Sequence, residues 1–109
     1  MFKHTVMRPD YAKDIPDAWQ NIAKVFTALG DAHRQRILLI FDRGERLNVS
    51  QIVETSTLSR PAVSHHLKIL REAGVLGSVK EGKEVFFWVE KQFLHDAMSA
   101  VLAYIDDEA

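Results

Sequence analysis

The chain has 109 residues, 47% of them hydrophobic and 27% charged, with a net charge of −1 and no cysteine. That balance excludes a disordered or fibrous polypeptide, and the missing cysteines exclude disulfides, thiolate metal sites and thiol switches. No apolar run approaches the roughly 18–20 residues that span a bilayer, and residues 1–10 lack the apolar centre of a signal peptide, so a cytoplasmic chain with no membrane partner is expected.

Residues 1–16 show no clear period and are expected to form an N-terminal arm. A single domain is expected over 17–109. Asp14-Ile15-Pro16-Asp17 reads as a helix start, an acid followed by a first-turn proline. Trp19, Ile22, Phe26 and Leu29 then repeat at helical spacing, which predicts a first helix over 17–29. Gly30 ends it and Asp31 caps a second helix carrying Ile37, Leu38, Ile40 and Phe41, with Gly44 as its stop. Asn48 and Gln51 have the spacing of a capping box and open a short third helix with Ile52 and Val53. After the polar turn Thr55-Ser56-Thr57, Ser59 and Pro61 start a fourth helix. It runs to Ala73 with Val63, Leu67 and Leu70 on one face, and Gly74 terminates it.

The period then changes. Residues 75–80 and 85–89 are β-rich, and Gly82 between them suits a hairpin turn. The run Val85-Phe86-Phe87-Trp88-Val89 is apolar at every position, so one face is expected to meet the helices. A last helix is predicted over 91–105, with Phe93, Leu94, Ala97, Met98, Val101, Leu102 and Ile105 as a wide apolar stripe. The acidic tail 106–108 is expected to fray.

Two short helices joined by a tight polar turn and followed by a hairpin make a winged helix-turn-helix, a mainly α fold with a small β wing. The charge pattern agrees. From Thr55 to Arg71 there is no Asp or Glu, yet the window carries Arg60, His65, His66, Lys68 and Arg71. An acid-free helix on a near-neutral chain is a local positive surface, and double-stranded DNA is its natural partner. Arg60, Ser64 and His65 are candidates for base edges, beside Pro61 in the same turn. Gln51, Ser59, Lys68 and Arg71, with Lys80 and Lys83 on the wing, are candidates for phosphates. Glu81 and Glu84 dilute the wing's charge. His65 and His66 point about 100° apart on a helix and rarely chelate one ion, so one is expected at DNA and the other packed or bonded to backbone. No phosphate loop, His-Glu-x-x-His or nucleophile–base pair is present, so an enzyme is not expected.

These segments resemble the ArsR-type family of bacterial repressors. The similarity lies in Leu29-Gly30-Asp31-Ala32-His33-Arg34-Gln35-Arg36-Ile37-Leu38, in the stretch from Leu58 through Ser64-His65-His66-Leu67 to Val75, and in Gly82 with Val85-Phe86-Phe87. It covers about residues 18–89. The resemblance implies a homodimer that represses an inverted-repeat operator, binding through the helix 59–73 and the wing 78–87, with release on a signal. It also implies dimerisation through the first and last helices, here Trp19, Ile22, Phe26, Leu94, Met98, Val101 and Ile105. One sensor site familiar in the family is a Cys-Val-Cys at the start of the third helix, where this chain has Asn48-Val49-Ser50. A second, on the last helix, keeps only His95 here, with Phe93 in place of the carboxylate, Asp106 ten residues beyond His95 and Glu108 near. No metal and no cofactor are therefore expected, and the inducer is left open. Two other readings compete: a protein-interaction module docking through the last helix, and a metal sensor assembled from His4, His33, His95 or the acidic tail.

Overall fold

The computed structural model describes residues 15–109. Most of the expected N-terminal arm, including His4, lies outside the described residues.

Capping chemistry sets most element boundaries. A single 3-10 turn, Asp17–Trp19, precedes α1 (Ile22–Leu29), which ends at Gly30. Asp31 then caps α2 (Ala32–Ile40), its carboxylate accepting from the backbone N–H of His33 at 2.8 Å and Arg34 at 3.1 Å. These bonds, that of Arg34 foremost, hold the Asp31 carboxyl below its ordinary 3.8 against the opposing effect of burial. The chain crosses β1 (Leu47–Asn48) into α3 (Val49–Thr55) through a complete capping box. Asn48 Oδ1 accepts from Gln51 N at 2.9 Å, and Gln51 Oε1 accepts from Asn48 N at 2.8 Å. Ser59 Oγ accepts from Ala62 N at 3.3 Å and starts α4 (Arg60–Glu72).

A Schellman motif closes α4: Val75 N donates to Leu70 O and Gly74 N to Arg71 O, each at 3.0 Å. Gly74 has φ 85°, and a Cβ there would stand 2.8 Å from the Phe93 ring. Both the turn and the close approach therefore require glycine. The hairpin follows, β2 (Leu76–Glu81) and β3 (Glu84–Val89), turned by Gly82 at φ 63° and Lys83. Finally α5 (Lys91–Asp107) packs back along the chain.

The antiparallel sheet has the order β1-β3-β2, with Leu47 opposite Phe87 and Ser78 opposite Phe87 on the other side. Its inner face meets the helices through Leu76 and Phe87. There they join Ile37, Ile52, Val63, Leu67, Leu70 and Val75 in one core. Each such side chain contributes roughly 1.5–3 kcal/mol by leaving water.

Four expectations are corrected. The first helix is not continuous over 17–29. Pro16 is extended and offers no side-chain acceptor, so the chain makes one tight turn on Pro16 O before α1 begins at Ile22. Its inward face is Ile22, Val25 and Ala28, while Phe26 is 44% exposed. The second helix stops at Ile40, because Phe41 turns extended; Gly44, at φ 71°, instead serves the turn over 42–45. The two residues of β1 were not expected as a strand. The last helix continues to Asp107, and of its apolar stripe only Ala97 is buried.

Candidate nucleic-acid interface

All ten residues expected to meet DNA are exposed. The fold gathers only some of them. A groove of about 410 Å³ runs between α4 and the hairpin, and Ser64, Lys68, Arg71 and Lys80 line it. Its apolar floor includes Leu67 and Phe87, and no carboxylate lines it. The pleat explains the sign. Lys80 pairs in register with Val85 and so shares the inward parity of Ser78 and Phe87. Glu81 and Glu84 fall on the opposite parity and are engaged there. Glu81 lies 3.4 Å from Arg46, and Glu84 accepts from Asn48 Nδ2 at 3.0 Å. The wing acids thus dilute the outer face of the hairpin, and the inner face stays positive.

Ser59, Arg60 and Pro61 form the first turn of α4, at one end of this surface. Arg60 Nη1 donates to Ser50 Oγ at 3.1 Å, which rests the guanidinium against the start of α3. Gln51 belongs to the same edge, with its carbonyl oxygen already committed to the capping box. Lys83 stands apart at the tip of the hairpin and does not line the groove.

His65 and His66 diverge as their spacing requires. His65 is exposed, and half-buried His66 turns toward α2. Its partner is a side chain rather than backbone: Arg34 Nη1 donates to His66 Nδ1 at 3.2 Å. The same guanidinium donates through Nε to Ala28 O at 2.8 Å and through Nη2 to Thr27 O at 3.2 Å, so Arg34 ties the end of α1 to α4. Burial lowers the His66 pKa, Asp31 opposes that, and the charge of Arg34 reinforces it. A neutral ring is what an arginine donor needs at Nδ1. His33 lies alongside, with ring centroids 5.9 Å apart, and its Nδ1 stands 3.4 Å from Arg36 Nη1. No periodicity marks Arg34 for this role; it is one exposed-looking cation among several in the sequence.

The residues expected at a subunit contact divide. Ile22 is 4% exposed and spent in the chain's own core, so it has almost no surface left for a second chain. Leu94, Met98 and Val101 are half-buried against that core, and Trp19 sets its ring edge-on to Tyr104 at 5.7 Å. Phe26 and Ile105 remain 44% and 54% exposed, joined by Leu102 at 58% and Tyr104 at 48% on the same last helix as Ile105. His95 is exposed beside Asp96 at 3.7 Å, and among the described residues no three His, Asp or Glu side chains converge as a metal-binding group. Among them, too, no helix is long and apolar enough to cross a membrane.

Helix-turn-helix, acid-free groove and wing together define a winged helix-turn-helix protein that binds DNA. Comparison with known proteins agrees. The family described as bacterial regulatory protein, arsR family, matches residues 31–78. The transcriptional repressor SdpR of Bacillus subtilis is 30% identical over 82 residues, spanning 75% of this chain and 90% of that protein. A homolog of the cadmium resistance transcriptional regulatory protein CadC from Staphylococcus aureus is 36% identical over 100 residues, spanning 81% and 78%. Among solved structures, an ArsR-like transcriptional regulator from Rhodococcus sp. RHA1 superposes with a TM-score of 0.72 at 28% identity, covering 80% of this chain and 81% of that one. The chain belongs to the arsR family of bacterial regulatory proteins and is a DNA-binding transcriptional regulator, not an enzyme.

Proposed function

We propose that the chain acts as a homodimeric repressor that holds an inverted-repeat operator with α4 and the wing. The observation that carries this reading is the groove between α4 and the hairpin, where Lys68, Arg71 and Lys80 meet Ser64 with no carboxylate. A duplex phosphate backbone fits that charge, and the first turn of α4 projects beyond it toward base edges. Arg60, Ser64 and His65 read bases, with Pro61 shaping that turn. Gln51, Ser59, Lys68, Arg71, Lys80 and Lys83 hold phosphates.

Dimerisation supplies the second half-site. The exposed Phe26, Leu102, Tyr104 and Ile105 form the surface a second copy covers, with Trp19, Leu94, Met98 and Val101 beneath them. Two copies then present their α4 helices to successive major grooves about 34–36 Å apart. Selection from a random duplex pool, followed by gel-shift titration of the winning sequence, tests the reading. Enrichment of an inverted repeat is expected; equal affinity for that repeat and for random DNA overturns it.

A further inference from the structure

The outer face of the sheet carries a second cleft, away from α4. It measures about 690 Å³, within the range of small-molecule sites, and it opens between the turn over 42–45, the end of β3 and the first residue of α5. Trp88, on the outer face, gives it an apolar wall together with Phe41 and Val89, which also pack against the core, and Arg43, Arg46 and Lys91 give it three cations against the two carboxylates of Asp42 and Glu45.

The indole is held from several sides. Gly77 lies under the Trp88 indole, so closely that a Cβ there would stand 2.5 Å from the ring. The Arg46 guanidinium stands 5.0 Å from the ring centroid, and Trp88 Nε1 donates to Glu90 Oε1 at 2.8 Å. Glu45 is turned onto its own loop, accepting from Asp42 N at 3.0 Å. Among the described residues Arg43 and Lys91 carry no ion pair. Phe86, Trp88 and Val79 also stand outside the group of side chains packed on the core, so the fold does not need an indole here to fill its interior.

We propose that this cleft binds a small aromatic carboxylate, its ring against Phe41, Trp88 and Val89 and its charge against Arg43 and Lys91. An aromatic wall with cations at the rim matches that ligand in both halves, through ring contact and charge-assisted hydrogen bonds. The position is apt for an effector, because β1 leads from the cleft directly into the cap of α3, and Lys91 opens α5. The effector role rests on the DNA-binding reading; the binding itself does not.

Titration of the full chain with 1-naphthoate, 1-naphthamide and hexanoate, followed by tryptophan fluorescence and by heat, tests the site without DNA. Saturable binding of 1-naphthoate is expected, at least about tenfold tighter than the amide or the aliphatic acid. The double substitution Arg43→Gln, Lys91→Gln changes exposed residues outside the DNA surface. It is expected to weaken naphthoate about tenfold while leaving the thermal melt and operator retention of the ligand-free chain unchanged. No saturable response to naphthoate, equal binding of the neutral amide, or full binding by a folded double variant overturns the site. Naphthoate that binds yet leaves operator retention unaltered overturns the effector role alone. A chain that retains no operator in the absence of ligand overturns the DNA reading instead.

Discussion

Two helices of this chain, α4 and α5, are both amphipathic and face opposite demands. In α4 the apolar residues Val63, Leu67 and Leu70 are at most 1% exposed, so its inward face is wholly satisfied by its own chain. What remains outside is polar, positive and free of acids until Glu72. In α5 only Ala97 is buried, while Leu102, Tyr104 and Ile105 are about half exposed or more. The two helices thus present two kinds of surface. One helix has finished its hydrophobic work and offers charge to a polyanion. The other leaves apolar area in water, a cost of about 25 cal/mol for each Å² that a second copy would remove.

The largest expected effect comes from breaking the inward side of α4. Leu67→Ala leaves a cavity in a fully packed core and is expected to cost about 2–5 kcal/mol in urea unfolding. For a small domain that is a large part of the total stability. An unchanged midpoint would contradict the packing described for α4.

Next comes the outward side of α5. Leu102→Glu places a carboxylate where the second copy is proposed to sit, at an expected cost of about 3 kcal/mol or more to association. Sedimentation is expected to show the mass of one chain, with operator affinity reduced over a hundredfold. Because Leu102 is exposed in the single chain, its fold should survive, which circular dichroism checks. A variant that still sediments as two chains would remove α5 from the interface.

The outward side of α4 gives a smaller and more selective change. Arg60→Ala is expected to lose about 1–3 kcal/mol on the selected operator and to relax its preference at one position. Lys83→Ala, at the wing tip, is expected to weaken all sequences alike and to lower the salt slope by about one. Gel shifts at several salt concentrations distinguish them; equal losses on specific and random DNA for Arg60→Ala would place that residue on phosphate.

The smallest effect is on the side of α4 that meets α2. Burial beside Arg34 keeps the His66 pKa below 6.5, with Asp31, His33 and His65 as the other titratable groups around it. Below that ordinary value the unfolded chain binds the proton more readily than the folded chain. Stability therefore falls as pH drops from 6.5 through the depressed folded value, and this contribution is fully present above 6.5. His66→Gln cannot take up the proton, so its melting temperature is expected to fall less steeply with acidification than that of the wild type. Parallel pH profiles would show that His66 does not carry this dependence.

The sequence by itself determined what neighbours along the chain can enforce. The caps at Asp31, Asn48 and Ser59, the glycine turns at 74 and 82, and the buried stripe Val63-Leu67-Leu70 stand where spacing and turn chemistry put them. The absence of acids from Thr55 to Arg71 was legible for the same reason, since it is a property of one segment. Tertiary structure decided the rest. The two residues of β1 are too short to carry a period and become a strand only through β3. Phe26 and Ile22 look alike in a helical repeat, and only packing sends Ile22 inward and leaves Phe26 outside. The alliance of Arg34 with His66 joins residues 32 apart. The groove of Lys68, Arg71 and Lys80 needs α4 and β2 folded side by side. Local chemistry wrote the caps, the turns and the positive segment; long-range contact decided which of the cations converge, and which apolar side chains of α5 stay exposed.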